Sequence, residues 1–457
     1  MPILNIGDII YKRDTTYEWK LKFKAGLTLF IFFCFCAASL AIEDIAKISL
    51  DEAINIAIQN SIDLQAQKIN VDIAKNSIKA ANRLQNPSLD TYWNMGEAGA
   101  GNPHSIGISQ VIELFKRKHR KKSAQASYAV SEESAKYKNF DLKMDVREAY
   151  INLVSAKSIV DSLEMEEKSL TEINRIVKQR YKSGKASETD VIQADISLNH
   201  VRTQLNTART NIMAARFEFN SVMDTDPIYD SIIETFDDDK NFSALLTPSP
   251  KSPLPGFSDI LALAEQHRFD LKIAQKEIDV AKNNLKIATS QRVPDVEISA
   301  GYLFQPMGVS SEGRYLNGAY IGAGLVNLPI LYNYSPEIKN AKLEIEKAEL
   351  KYAAVQNNAF ANLSSAYEKL VNARVNLNYY TDSLIEDSIH MMKTSKKNYE
   401  EGKTNDLTSL IVIEQSFRSI IIGYTYALAQ YYSCYINFLR EVDVDNLDSI
   451  TNSSVPL

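Results

Sequence analysis

The feature that most constrains the fold is a stretch of 68 residues, Lys116 to Ser183, that contains neither proline nor glycine. Within it, from Leu142 to Tyr181, apolar or aromatic residues occupy ten of twelve positions at alternating intervals of four and three residues. This period of about 3.5 residues is typical of coiled coils. At about 1.5 Å per residue, such a helix extends about 100 Å. Gly184 ends the stretch and a second helical run follows, so the sequence predicts a very long helical hairpin.

Composition agrees with long helices and argues against a nucleic-acid partner. The 457 residues include only 16 glycines and 13 prolines, which cluster in short patches. The net charge is −6, from 51 basic and 57 acidic residues. No basic surface for nucleic acid is therefore expected, and the charges lie mostly on the polar faces of the helices.

The N-terminal region predicts export from the cytoplasm. Basic residues at 20–24 precede fourteen apolar residues at 25–38, and small residues occupy the last and third-last positions before Ile42. We therefore predict a signal peptide at 1–41. An uncleaved anchor is the alternative, but its apolar run is shorter than the roughly twenty residues of a membrane span.

The chain also contains an internal duplication. Residues 71–76 (VDIAKN) match residues 278–283 (IDVAKN) at an offset of 207. A Tyr-x-x-Gly-Lys motif occurs at 181–185 and again at 399–403, at an offset of 218. The second copy has therefore gained eleven residues between these points.

Each copy is predicted to begin with one helix. In the first copy Ser49 and Glu52 have the spacing of a capping box, and about 35 helical residues follow, ending before Pro87. In the second copy the corresponding helix begins at Ser258. The long helix of the second copy is predicted to run unbroken from Asn333 to Gly402. The chain then reverses direction and runs back along this helix.

Four short segments alternate apolar and polar residues, as strands do. The predicted strands are 87–95, 104–114, 295–305 and 319–330. Each has about ten residues and one apolar face, which is typical of a membrane β-barrel strand. Soluble hairpins packed on the helices are the alternative.

Four strands cannot close a barrel on their own. Three chains with twelve strands make the smallest cyclic assembly with a pore wider than a filled eight-stranded barrel.

These patterns predict a mainly α fold with a membrane β-barrel portion, built from two structural repeats. We expect the following division: signal peptide 1–41, first repeat 42–224 with its tip at 183–185, equatorial linker 225–257, second repeat 258–441 with its tip at 401–403, and C-terminal tail 442–457.

The whole predicted mature chain resembles the TolC-like outer-membrane efflux factors. The resemblance rests on the duplicated plan, on the two Tyr-x-x-Gly tips and on residues 86–89 (NPSL) at the start of a strand. Residues 109–117 (SQVIELFKR) resemble the cobalt/zinc/cadmium efflux branch. The resemblance implies a homotrimer whose twelve-stranded barrel continues into a twelve-helix periplasmic tunnel.

The function implied by the resemblance is that of a passive exit duct in the outer membrane. Its implied partners are outer-membrane lipid, a periplasmic adaptor (membrane fusion) protein and an inner-membrane RND-type pump, with heavy-metal cations or small toxic compounds as cargo. The outer-membrane channel of a type I protein-secretion system is the alternative within the family. A periplasmic coiled-coil scaffold is a function of a different class.

No enzyme chemistry, cofactor site or metal site is predicted. The five histidines are scattered, and the chain has no glycine-rich phosphate loop and no Cys/His cluster with metal-ligand spacing.

The resemblance assigns candidate site residues to the two tips. It places Tyr181, Gly184, Tyr399 and Gly402 at the periplasmic mouth, where adaptor hairpins dock. A tight helical turn alone also accounts for these residues, because glycine suits the left-handed position that ends a helix.

The resemblance implies a pore gate that includes Asp190 and Tyr399, the tyrosine holding the gate through hydrogen bonds. In the second copy the sequence departs from the family pattern. Thr404 stands where a basic gate partner is expected, and Thr408 stands where an acid is expected. A gate latched as in the best-known members is therefore not expected here.

Overall fold

The computed structural model describes residues 48–93, 104–226, 254–304, 318–380, 382–404 and 406–446. The predicted signal peptide, most of the linker and most of the tail lie outside the described residues. The described residues from 49 to 446 belong to one compact unit. The helices are α1 (Leu50–Asn60), α2 (Ile62–Ala81), α3 (Lys116–Lys182), α4 (Glu188–Val222), α5 (Phe257–His267), α6 (Phe269–Ser290), α7 (Ser335–Asn378), α8 (Asp382–Glu400) and α9 (Leu407–Val442).

Four strands form one antiparallel sheet in the order of the chain. They are β1 (Ser88–Trp93), β2 (His104–Ile112), β3 (Asp295–Phe304) and β4 (Gly318–Val326). The strands of the two repeats are joined directly, because β2 pairs with β3 through partners such as Ile108 and Ala300. In the described chain β1 and β4 each pair along one side only.

The long helix α3 belongs to the first helical hairpin and also contacts the second. It is 67 residues long and pairs with α4 in the first hairpin and with α9 in the second. Eight of the twelve stripe positions predicted above are buried, so the stripe is the packing face: Val146, Ala149, Leu153, Val160, Leu163, Leu170, Asn174 and Val177.

The single helix predicted at the start of each copy is wrong, because both copies break. Ser61 has ψ 114° and separates α1 from α2, and Arg268 has ψ 123° and separates α5 from α6. The two breaks are 207 residues apart, so the break itself is duplicated. The predicted capping box is confirmed at the start of α1, where Ser49 Oγ accepts from the N–H of Glu52 at 3.3 Å.

Both breaks are capped by an aspartate from the other end of the same repeat. The N–H of Ile62 donates to Asp224 Oδ2 at 3.0 Å, and the N–H of Phe269 donates to Asp443 Oδ2 at 2.6 Å. Each aspartate follows the last helix of its repeat in the left-handed conformation, with φ 50° and 59°. A cap from a distant residue satisfies the first N–H group of the new helix.

The unbroken helix predicted from Asn333 to Gly402 is also wrong. The helix stops at Asn378, and α8 begins at Asp382. Opposite this break, Gly423 of α9 makes room for Tyr380, because a Cβ atom at Gly423 would lie 2.5 Å from the Tyr380 hydroxyl oxygen.

A buried ion pair joins the sheet to α3. Lys116, the first residue of α3, places Nζ 2.7 Å from Oδ2 of Asp295, the first residue of β3. The two side chains are 8% and 3% exposed, and Asn327 donates to the same oxygen at 3.0 Å. Lys116 belongs to the predicted branch motif, so one residue of that motif fixes the sheet on the helices.

Candidate functional site at the helical tips

The two hairpins reverse direction by the same backbone geometry. Gly184 and Gly402 have φ 72° and 71°, a region in which glycine is favoured because it lacks Cβ. The N–H of each glycine donates to the carbonyl of the tyrosine three residues earlier, at 2.9 Å from Gly184 to Tyr181 and 3.2 Å from Gly402 to Tyr399. The glycines therefore have a structural role in both turns.

The two tip tyrosines have different environments. The side chain of Tyr181 is 46% exposed, whereas that of Tyr399 is 2% exposed and belongs to a core shared by α3, α4 and α9. Burial raises the pKa of the Tyr399 hydroxyl; the charge of Arg180 opposes this shift, and the charge of Asp190 adds to it. The same sequence motif therefore places an exposed tyrosine, Tyr181, at one tip and a buried tyrosine, Tyr399, at the other.

Arg180 connects the tip of the first hairpin to the tip of the second. Its Nη1 donates to the carbonyl oxygen of Tyr399 at 2.6 Å, and its guanidinium carbon lies 4.5 Å from the centroid of the Tyr399 ring. The first contact satisfies a carbonyl at the end of α8, and the second is a cation–π contact. Sequence reasoning missed Arg180; its position immediately before the Tyr-x-x-Gly motif was the available signal.

Asp190 has a local role at the start of α4. Its N–H donates to Ser187 Oγ at 3.1 Å, and its carboxylate accepts from the Ser187 N–H at 2.8 Å. These two bonds form a capping box. The carboxylate is also close enough to influence the titration of Tyr399. Its assignment to a pore gate stays a prediction.

Thr408, which stands where the family pattern has an acid, makes a neutral contact with the first hairpin. Thr408 Oγ1 lies 3.4 Å from Gln193 Oε1 of α4. Thr408 thus contacts the first hairpin through a hydroxyl group, whereas Arg180 contacts the second hairpin through a charged side chain.

The surfaces around the two turns enclose an open groove of about 1210 Å³ with a charged lining. Arg175 pairs with Glu172 at 2.7 Å within α3, and Lys403 pairs with Glu401 at 2.5 Å beside the second turn. The groove therefore offers both signs of charge. The charged lining residues are Glu172, Arg175, Arg180, Lys185, Asp190, Glu400 and Glu401.

The described residues contain no group of three or more His, Cys, Asp or Glu side chains that could hold a metal ion. Across the same parts of the chain, no helix is long and apolar enough to cross a membrane.

Comparison with known proteins identifies the family. The model of the outer membrane efflux protein family matches residues 53–220 and 260–413, which is more than half of the chain. The outer membrane efflux protein BepC of Brucella suis is 22% identical over 381 residues, covering 80% of this chain and 78% of BepC.

Solved structures show the same fold. The outer membrane protein VceC of Vibrio cholerae gives a TM-score of 0.67 at 15% identity, over 86% of this chain and 95% of VceC. The Campylobacter jejuni CmeC outer membrane channel gives 0.64 at 16% identity, over 99% and 97%. These relatives are named for efflux or for the outer membrane, not for an enzyme activity. The chain therefore belongs to the outer membrane efflux protein family and is an efflux channel of the outer membrane that extends into the periplasm.

Proposed function

We propose that three copies of this chain form a twelve-stranded barrel in the outer membrane, continued by a twelve-helix tunnel. The channel passively conducts cargo from an inner-membrane RND-type pump and a periplasmic adaptor to the outside. The observation that carries this proposal is the separation of apolar and small polar residues onto the two faces of the sheet.

One face of the sheet is apolar and exposed. Leu89, Ile108, Ala300 and Ile321 form one row across the four strands by their pairing, and Ile321 is 87% exposed. Exposed apolar side chains at this density need a nonpolar surrounding, which lipid supplies. The other large apolar residues of this face are Trp93, Ile106, Ile112, Ile298, Tyr302, Phe304 and Leu325.

The opposite face is lined mainly by glycine and serine. The ring of Tyr320 lies against Gly107 and Gly301, where side chains would collide with it. Asp90, Asp295 and Glu297 are also on this face, which has no lysine or arginine within the described strands. Small and polar residues suit a water-filled lumen. Asp295 is paired with Lys116, and the other two acidic residues favour cationic cargo, either metal cations or cationic toxic compounds.

The free sides of β1 and β4 support the trimer. An unpaired strand edge in lipid leaves backbone groups without hydrogen bonds, which is energetically costly. Pairing β4 of one chain with β1 of the next removes every edge when the ring closes, and three chains supply the twelve strands.

At the tips, we infer that Tyr181, Gly184, Tyr399 and Gly402 form the surface that contacts the adaptor. The exposed Tyr181 and the mixed charges of the groove suit a polypeptide partner. Asp190 and Tyr399 take part in the gate, with Arg180 holding Tyr399 against the first hairpin.

Two neighbouring cysteine variants test the orientation of the sheet. Ser299→Cys places a thiol on the small polar face, and Ile298→Cys places one on the apolar face. In intact cells, a charged, membrane-impermeant thiol reagent should label Cys at 299 at least about tenfold faster than Cys at 298, because the thiolate forms only in water. The unsubstituted protein measures the background from the buried Cys434.

Equal labelling at 298 and 299 would contradict the barrel.

Export of proteins, as the outer-membrane channel of a type I secretion system, stays the alternative function. If deletion of the gene leaves tolerance to zinc, cobalt, cadmium and copper unchanged but sensitises cells to dyes or detergents, heavy metals are not the cargo.

A further inference from the structure

A buried polar cluster connects α3 with α9 at the interface between the two hairpins. Glu166 Oε1 accepts from Arg418 Nη1 at 2.6 Å, and the two side chains are 7% and 13% exposed. Ser169 Oγ donates to Glu414 Oε1 at 2.7 Å, and Glu414 is 2% exposed. Two carboxyl groups and one guanidinium group are thus buried together.

Further charges approach this cluster from the other neighbouring helices. From α8, Lys396 Nζ lies 3.4 Å from Ser169 Oγ. From α4, Arg202 pairs with Glu167 at 2.8 Å, on the adjacent residue of α3. The second carboxylate oxygen of Glu166 is buried and has no hydrogen-bond partner in the described structure. One side of the Glu166 carboxyl group is therefore desolvated without compensation.

This geometry favours a proton on Glu166 near neutral pH. Burial raises the pKa of Glu166 to about 7; the charge of Arg418 opposes the shift, and the charge of Glu414 adds to it. A buried carboxylate beside a second carboxylate is the usual origin of such behaviour.

We propose that Glu166, Glu414 and Arg418 form a proton-controlled joint between the two hairpins. Protonation of Glu166 leaves one carboxylate opposite one guanidinium group, and the helices pack tightly. Loss of the proton adds a second buried negative charge and loosens the packing of α8 and α9 on α3. The joint responds to the pH of the periplasm.

The joint is placed to influence the tip. Glu166 is fourteen residues before Arg180 on the same helix, or about 21 Å. Arg180 holds Tyr399 of α8, so loosening of α8 and α9 at the joint weakens the contact that connects the two tips. This effect on the gate rests on the proposed function, whereas the joint itself does not.

The sign of the pH effect follows from the raised pKa. A carboxyl group whose pKa is higher in the folded state stabilises that state below its usual pKa of 4.5. This contribution is lost as the pH rises through about 7. Between about pH 6 and about pH 8, the equilibrium constant for local opening of the interface should therefore rise roughly tenfold.

Amide hydrogen exchange of the full-length protein, extracted from the outer membrane, measures this opening. After correction for intrinsic exchange rates, protection of α8 and of the first half of α9 should fall roughly tenfold from about pH 6 to about pH 8. Glu166→Gln should abolish this pH dependence, because the amide does not titrate. Glu172→Gln is the matched control, since Glu172 is exposed and paired with Arg175 on the same helix, and it should keep the pH dependence.

A second variant keeps the test decisive if Glu166→Gln fails to fold. Glu414→Gln removes the neighbouring negative charge, so Glu166 beside Arg418 loses its proton more easily. The transition in protection should therefore shift to a lower pH than in the unsubstituted protein. An unsubstituted protein without pH-dependent protection would overturn the proposal. So would a Glu166→Gln or Glu414→Gln protein with the unsubstituted profile. Neither outcome bears on the barrel, which the labelling at 298 and 299 tests separately.

Discussion

At the scale of single residues, Arg180 is the contact that joins the two tips. Arg180→Ala removes a hydrogen bond of 2.6 Å and a cation–π contact from Tyr399. A charged hydrogen bond and a partly buried cation–π contact together contribute about 2 kcal/mol. We expect the variant to open more often and to show a several-fold higher mean conductance in planar bilayers. Arg175→Ala, which removes only an exposed pair with Glu172, should conduct normally, and equal conductance of the two variants would refute the role of Arg180.

Asp190 combines a helix cap with a charge near the tip, and two substitutions separate these roles. Asp190→Asn removes the charge but keeps an acceptor for the Ser187 N–H, whereas Ser187→Ala weakens the cap but keeps the charge. If the carboxylates of three chains converge at the pore, Asp190→Asn reduces cation selectivity and block by multivalent cations. Ser187→Ala leaves both unchanged. Reversal potentials in a salt gradient distinguish the variants, and unaltered selectivity in Asp190→Asn would make Asp190 an ordinary capping residue.

At the scale of the elements, the duplicated caps of α2 and α6 provide a matched pair. Asp443 is more buried than Asp224, and burial raises the pKa of Asp443 to about 7, with the Phe269 N–H and Arg268 opposing the shift. The stability due to a raised carboxyl pKa is present below the usual range of aspartate and is lost as the pH rises through about 7.

Asp443→Asn should therefore remove the loss of folding stability that occurs as the pH rises through about 7. Between about pH 6 and about pH 8 the unsubstituted protein should lose about 1 kcal/mol more than the variant, after allowance for partial exposure to solvent. Asn tolerates the left-handed conformation of both positions, so Asp224→Asn, at the equivalent cap of the first repeat, is the matched control. Thermal unfolding followed by circular dichroism gives the comparison. Identical pH profiles for Asp443→Asn and the unsubstituted protein would show that Asp443 does not titrate in this range.

The break between α7 and α8 depends on the space at Gly423. Gly423→Ala should destabilise the second hairpin by about 1–3 kcal/mol, because its Cβ would overlap the Tyr380 hydroxyl oxygen. In a Tyr380→Phe background this oxygen is absent, and the same substitution should cost much less. Denaturant unfolding of the four proteins in this double-mutant cycle measures the coupling. A cost that is independent of Tyr380 would mean that Gly423 serves another purpose.

Local features were predictable from the sequence because their causes are local. The stripe on α3, the capping box at Ser49 and the positive φ of Gly184 and Gly402 each depend on residues within a few positions. The helix breaks were not predictable in this way. The break at Ser61 is capped by Asp224, which is 162 residues from the capped N–H group of Ile62. The break after Asn378 depends on Gly423, a residue of α9.

The connection between the tips shows the same limit at the candidate site. The Tyr-x-x-Gly motifs indicated two equivalent turns, but the environments of Tyr181 and Tyr399 differ because Arg180 and Tyr399 are 219 residues apart in sequence and in contact in the fold. An arginine before a turn motif has no partner that the local sequence identifies. Only the packing of α8 on α3 supplies one.

At the scale of the whole molecule, the two free sheet edges require neighbouring chains if the sheet lies in lipid. Within the part of the chain that the structure describes, β1 and β4 each pair along one side, and the apolar face of the sheet is exposed. A single chain would leave backbone donors and acceptors unpaired in the membrane at a cost of several kcal/mol each. A closed ring of three chains removes this cost and leaves the small polar face around a lumen.

Chemical cross-linking in intact cells, followed by separation of the outer membrane from the soluble periplasm, tests this assembly most directly. A closed ring of three chains predicts trimers that sediment with the outer membrane and require detergent for extraction. Monomers in the soluble periplasmic fraction would contradict it.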